Sequence, residues 1–279
     1  MSNADQEEFW TNFSQVWVDH QAKLDASFTP VLDEVFNRAD IKAGDNVLDI
    51  GCGTGTSTVQ AAERVGDTGR ATGVDISAPM IDRARIVAEA SANATFQVSD
   101  AASSSFDTGP FDRVISRFGT MFFNNSVGAF TNILKGLRPG AQLTMACWSH
   151  LDANPWFLSP LRAAREVLGA PPPVDPDAPG PLAFRDIDRV TGILARAGFV
   201  DVSGQPVELR LTPPGTLDEV AYQCSLIGPA ARTMEHFNGD ESNLLEIAKH
   251  VAEDYKDFVE GDAVLVPAEI NYFTAYAPR

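Results

Sequence analysis

Three carboxylates end three apolar runs: Asp49 in "VLDIGCGTGTS" (Val47 to Ser57), Asp75 in "GVDIS" and Asp100 in "QVSDA". An apolar run, a glycine-rich turn and a helix onset make a nucleotide site. Here the spacing is Gly51-x-Gly53-x-Gly55, and Thr56 stands where the dinucleotide fingerprint needs its last glycine. A carboxylate placed just before the loop suits a cationic group better than a phosphate. Asp75 can accept hydrogen bonds from both hydroxyls of a ribose, as the acid about 20 residues beyond the glycines does in dinucleotide sites. Asp100 can take a base amino group while the amide of Ala101 is offered to a ring nitrogen. A ligand carrying an ammonium, a ribose and a base satisfies all three.

These acids need parallel strands that end on one edge. "NVLDI", "RATGVDI", "ATFQVSD", "FDRVISRF" and "AQLTMACW" read as strands separated by single amphipathic helices, one of them from about Ser126 to Leu137 and ended by "RPG". That alternation predicts a doubly wound α/β sheet covered on both faces, whose strand ends line one crevice. Residues 6–40 read as two helices, with Phe9, Phe13, Val16 and Trp17 on one face. After Trp148 the proline-rich "GAPPPVDPDAPGP" marks an excursion from the sheet. The core resumes in a helix capped by Asp186 and closed by Gly198, then the strand "QPVELRL"; 216–261 read as helical, and an apolar strand follows. The expected organisation is a single domain over 1–279. Within it, 1–40 form a lid, 41–150 the binding core, 151–185 and 216–261 cap insertions, and 186–215 and 262–279 the terminal strands.

A net charge of −17 over 279 residues argues against an extended nucleic-acid surface. Neither a leader nor a run of about 20 apolar residues is visible, which predicts a soluble cytoplasmic protein. Cys52, Cys147 and Cys224 are odd in number and widely spaced, so neither a disulfide framework nor a metal site is expected.

"VLDIGCGTG", "GVDISAPMIDRAR", "SDA", "FDRVISRFGTMFF" and "LRPGAQLTMACW" together resemble the ordered motifs of class I S-adenosylmethionine-dependent methyltransferases, in their small-molecule, ubiquinone/menaquinone-methylase-like branch. The resemblance covers roughly residues 45–150; Ala141 stands where the family commonly has a glycine. It implies a Rossmann-like sheet of seven strands with the last antiparallel, and a donor, S-adenosyl-L-methionine, leaving as S-adenosyl-L-homocysteine. By the same resemblance Asp49, Gly51, Gly53 and Gly55 surround the methionine portion and Asp75 takes the ribose. Ile76 and Met80 pack on adenine, Asp100 and Ala101 read its edge, and the backbone at Ser116 and Arg117, after the fourth strand, meets the methionine amine or carboxylate.

The acceptor is expected beyond strands four and five. Phe118, Met121, Phe122 and Phe123, with Trp148, Asn154 and Trp156, suit a flat or lipid-like small molecule. His150, just after the fifth strand, is the first candidate for a general base and His20 the second, while Trp10 and Trp17 are placed to close over the methionine end. Methyl transfer to such an acceptor is the activity expected. The alternatives are a donor-binding protein without transfer and an enzyme that uses the donor for other chemistry; glycine spacing opposes a nicotinamide reductase. A homodimer through the helices of 216–261 is a further expectation.

Overall fold

The computed structural model describes residue 10 and residues 14–279. Phe9 and Phe13 lie outside them. Residues 14–19 are helical and lead into α1 (Gln21–Ser27) and α2 (Thr29–Ala39). There follow β1 (Asn46–Ile50), α3 (Thr56–Val65), β2 (Arg70–Asp75), α4 (Ala78–Val87), β3 (Ala94–Val98), β4 (Phe111–Arg117), α5 (Ser126–Lys135) and β5 (Leu137–Trp148). The remainder is α6 (Pro155–Leu168), α7 (Ile187–Ala197), β6 (Val200–Leu211), α8 (Leu217–Ser225), α9 (Gly228–His236), α10 (Glu241–Asp254), a hairpin of β7 (Val259–Glu260) and β8 (Ala263–Val264), and β9 (Val266–Tyr276).

The seven-stranded sheet runs β3-β2-β1-β4-β5-β9-β6. Pairs from β3 to β5 are parallel, and β9 lies antiparallel between β5 and β6. The expected antiparallel last strand is thus internal, and β6 forms the edge. Strand β1 is buried from Val47 onward because helices cover it on both sides, which is why Val47 to Ile50 is apolar apart from Asp49. Helix α3 turns small residues, Ser57, Thr58, Ala61 and Ala62, toward the sheet and so packs close to it.

Three expected boundaries move. Helix α5 stops at Lys135, and "RPG" belongs to β5, where the register with β4 jumps between Phe111 and Arg113. Gly140, at φ +79°, fits that bulge. The helical stretch 216–261 is three helices, broken at Gly228-Pro229 and again before α10, and it ends in the β7–β8 hairpin. Asp186 does cap α7, accepting from the amide of Arg189, and Gly198 ends it at φ +104°.

Helices α6, α8, α9 and α10 pack on one another as a cap near the strand ends that carry the acids. Among the described residues no helix is long and apolar enough to cross a membrane.

Candidate active site

The glycine loop does three separate things. Gly51, at φ +65°, passes so near the chain after β4 that a Cβ would lie 2.5 Å from Gly119 Cα. Gly53, at φ +54°, has nothing within 4 Å of its Cβ position and faces open cavity. Gly55 begins α3 at φ +92°, and a Cβ there would meet Ala84 Cβ at 2.8 Å and the Phe96 ring at 2.9 Å. Gly55 therefore serves helix packing and does not line the cavity, contrary to the expectation. The Ser116 side chain is also withheld from it: its hydroxyl donates to the Ile50 carbonyl at 2.8 Å and accepts from the Gly119 amide at 3.2 Å, pinning the two loops together.

Beyond those glycines a cavity of about 190 Å³ opens across the strand ends. Asp75 lines it, with one carboxylate oxygen accepting from the Gly53 amide and the other from the Ser77 amide, each at 2.9 Å. Withdrawal from water raises its pKa, and these amides oppose the rise. Asp100 lines the wall with Ala101, Ile76 and Met80, and accepts from the Ala102 amide and the Ser103 hydroxyl. Asp49 is buried behind the loop and is not part of the lining. One of its oxygens accepts from Ser57 and Thr58 at 2.6 and 2.7 Å, and the other has no partner. Burial pushes its carboxyl up to about 6, against the pull of those hydroxyls and of the Arg117 charge.

Arg117 reaches the cavity from the end of β4. Its Nη2 donates to Asp25 at 2.8 Å, while Nη1 is buried with no partner among the described residues. Asp25, on α1, also accepts from Thr56 Oγ1 at 2.6 Å, so the N-terminal helix is fastened to the glycine-loop helix and to β4 at one point. A turn earlier, Gln21 accepts from Arg83 Nε at 2.6 Å and ties α1 to α4. Neither Asp25 nor Gln21 was expected in the site. Both lie on the stripe Trp17, Gln21, Leu24, Asp25, Phe28, all lining the cavity, and that helical spacing was the signal available.

The other half of the cavity is aromatic. Phe118 sits at φ 66°, a left-handed conformation rarely held by a bulky residue. Its ring stacks on Trp148 with centroids 4.7 Å apart and planes at 7°. Phe28 meets both edge-on at 5.5 and 5.9 Å, and Phe157 lies 4.6 Å from Trp148. Met121, Phe122 and Phe123 extend the wall, and Trp10 packs edge-on against Phe122 at 4.7 Å. Trp156 does not line the cavity: it is fully buried behind Phe28, and its neighbour on α6, Phe157, takes the expected place.

Neither expected base is in the site. His150 is exposed, because the chain turns away after β5 where Ser149 donates to Glu269 and the buried Asn154 braces the same strand. His20, partly buried at the turn before α1, also misses the cavity. Arg232, on α9, does line it, and nothing in the sequence near it marked it out.

A model described as "Methyltransferase domain" matches residues 47–140. The chain is similar to the nocamycin O-methyltransferase of Saccharothrix syringae, at 28% identity over 67% of this chain and 70% of that protein. It is also similar to the O-methyltransferase resE of Aspergillus sclerotiorum, at 31% identity over 78% of this chain and 75% of that protein. Among solved structures, Haemonchus contortus phosphoethanolamine N-methyltransferase 2 in complex with S-adenosyl-L-methionine superposes with a TM-score of 0.54 at 20% identity, covering 90% of this chain and 53% of that one.

Proposed function

The chain belongs to the class I S-adenosylmethionine-dependent methyltransferases, and from that premise we propose that it methylates a small apolar acceptor held in the aromatic half of its cavity. One observation carries the reading: a single cavity joins the charged strand ends to the aromatic wall, so donor and acceptor share one space. S-adenosylmethionine supplies an electrophilic methyl group on a sulfonium. The residues fit it. Gly53 leaves its loop face open, and the buried Nη1 of Arg117, without a partner among the described residues, is suited to the methionine carboxylate. Asp75, already oriented by two amides, accepts from the ribose hydroxyls. Ile76 and Met80 cover the adenine face, and Asp100 with the amide of Ala101 meets its edge. Gly51 shapes the loop beside the methionine chain, and Asp49 places negative charge beneath that loop, favouring the donor's cationic end.

The protein's contribution to rate is positional. Phe118, Trp148 and Phe157 shape a dry wall that sets the acceptor in line with the methyl group, and alignment of this kind supplies much of the acceleration in a displacement. The similarity to two O-methyltransferases favours an oxygen nucleophile.

Methyl-labelled S-adenosylmethionine incubated with the protein and a bacterial extract is expected to put label in the organic phase. Label confined to aqueous amines, or none above a boiled control, overturns the acceptor reading. Calorimetry with S-adenosylhomocysteine tests the donor residues. Asp75→Ala is expected to weaken binding by about 1–3 kcal/mol, with Arg117→Gln following. Unchanged affinity in a folded Asp75→Ala variant removes the ribose assignment.

A further inference from the structure

Arg232 is a cation of the cavity lining that the donor reading does not use. It stands one turn beyond Gly228 on the cavity face of α9. Gly228, at φ +69°, allows the Phe157 ring to lie where a Cβ would sit 2.4 Å from it, and Phe157 in turn packs on Trp148. On its other side Arg232 rests against Gly180, whose Cβ position is 3.3 Å from the guanidinium, and the Gly180 amide donates to the Met121 carbonyl. The guanidinium therefore sits on the rim of the aromatic wall. Burial lowers its pKa, with Glu235 opposing, so its charge is partly stripped of water.

Among the described residues the lining also offers no group ready to remove a proton. Among the described residues no histidine lines the cavity. Each lining carboxylate is engaged: Asp25 with Arg117 and Thr56, Asp75 with two amides, and Asp100 with the Ala102 amide and Ser103. An alcohol or weakly acidic phenol needs a base before it can attack. An acceptor that arrives ionised does not.

Building on the methyltransferase reading above, we infer that the acceptor is an apolar oxygen acid, ionised before it binds, with its negative charge set against Arg232. Transfer then balances without a proton. A lone pair on the acceptor oxygen forms the bond to the methyl carbon, the carbon–sulfur bond breaks, and its electron pair stays on sulfur. An anion and a sulfonium become a neutral ester or enol ether and a neutral thioether. Charge neutralisation of this kind is favoured in a low-dielectric pocket. The methylated product no longer pairs with Arg232, which favours its release.

The test uses the protein saturated with S-adenosylhomocysteine and two fluorescent probes of similar shape, the anion 1-anilinonaphthalene-8-sulfonate and the neutral N-phenyl-1-naphthylamine. The wild type is expected to prefer the anion. Arg232→Gln is expected to weaken the anion at least about tenfold and the neutral dye less than about twofold, with Arg232→Lys in between. An unaltered melting temperature and S-adenosylhomocysteine affinity exclude unfolding as the cause. A wild type without preference for the anion, or a preference that survives in Arg232→Gln, overturns the inference. Failure of the wild type to bind S-adenosylhomocysteine defeats the donor reading instead, and the dye comparison in the unliganded protein still decides the role of Arg232.

Discussion

The two halves of the cavity are built on different principles. The donor half is made by backbone: strand ends, a loop at positive φ, and amides that fix Asp75 before any ligand arrives. The aromatic half, where the acceptor is proposed to bind, is made by side chains from α1, the segment after β4, β5, α6 and α9, stacked on one another with the Arg232 guanidinium on the rim. A backbone site recognises one molecule and resists change, because no atom in it can move alone. A site of packed rings can be re-cut by substitution while the frame stands.

Two glycines test that contrast directly. A Cβ on Gly51 collides with the backbone of Gly119, whereas a Cβ on Gly228 collides with the edge of the Phe157 side-chain ring. Gly51→Ala is expected to cost about 2–4 kcal/mol of stability and to abolish donor binding. Gly228→Ala is expected to cost more than about 1 kcal/mol, less than Gly51→Ala, and to leave donor affinity intact. Equal losses in denaturant titration would erase the distinction. Asp49 gives the next largest effect. Its folded pKa, about 6, lies above its ordinary value of 3.8, so the folded state holds the proton more tightly. Its contribution to stability is present below about pH 4 and is lost as pH rises through 6. Asp49→Asn is expected to remove about 2–3 kcal/mol of that fall between pH 4 and 7, read from unfolding at several pH values. Identical slopes for both proteins would show that the carboxyl is not desolvated. Smallest of all, His20→Gln and His150→Gln are expected to leave kcat/KM within about twofold, since neither ring reaches the cavity. A tenfold drop in either would place a base in the acceptor half and break the comparison there.

The same division explains what could be read from the chain. Asp75, Asp100, Gly51 and Gly53 were legible because a strand end and the turn after it fix their direction locally. Gly55 and Ser116 belong to the same motifs, but their roles depend on what stands behind them, Ala84 and Phe96 for one and Ile50 for the other. On α6 the choice between Trp156 and Phe157 is a matter of helix phase, set only when α6 docks beside Phe28 and Trp148. Asp25 and Arg232 reach the cavity from far along the chain in both directions, and no local pattern ties them to Arg117 or Trp148. The parallel order of β1 to β5 followed from strand and helix alternation. The place of β9 did not, because nothing in an apolar strand says between which neighbours it inserts.

That insertion has a consequence in time. As the chain is synthesised, β5 and β6 are complete while the strand that must lie between them does not yet exist. Their facing edges stay open, each a template for a foreign strand, until β9 emerges and closes both at once. Trp148, at the β5 end of that seam and opposite Ile270, is part of the aromatic wall of the cavity. The pocket is therefore finished only once β9 has emerged, and a nascent chain is held from its chemistry until the sheet is sealed.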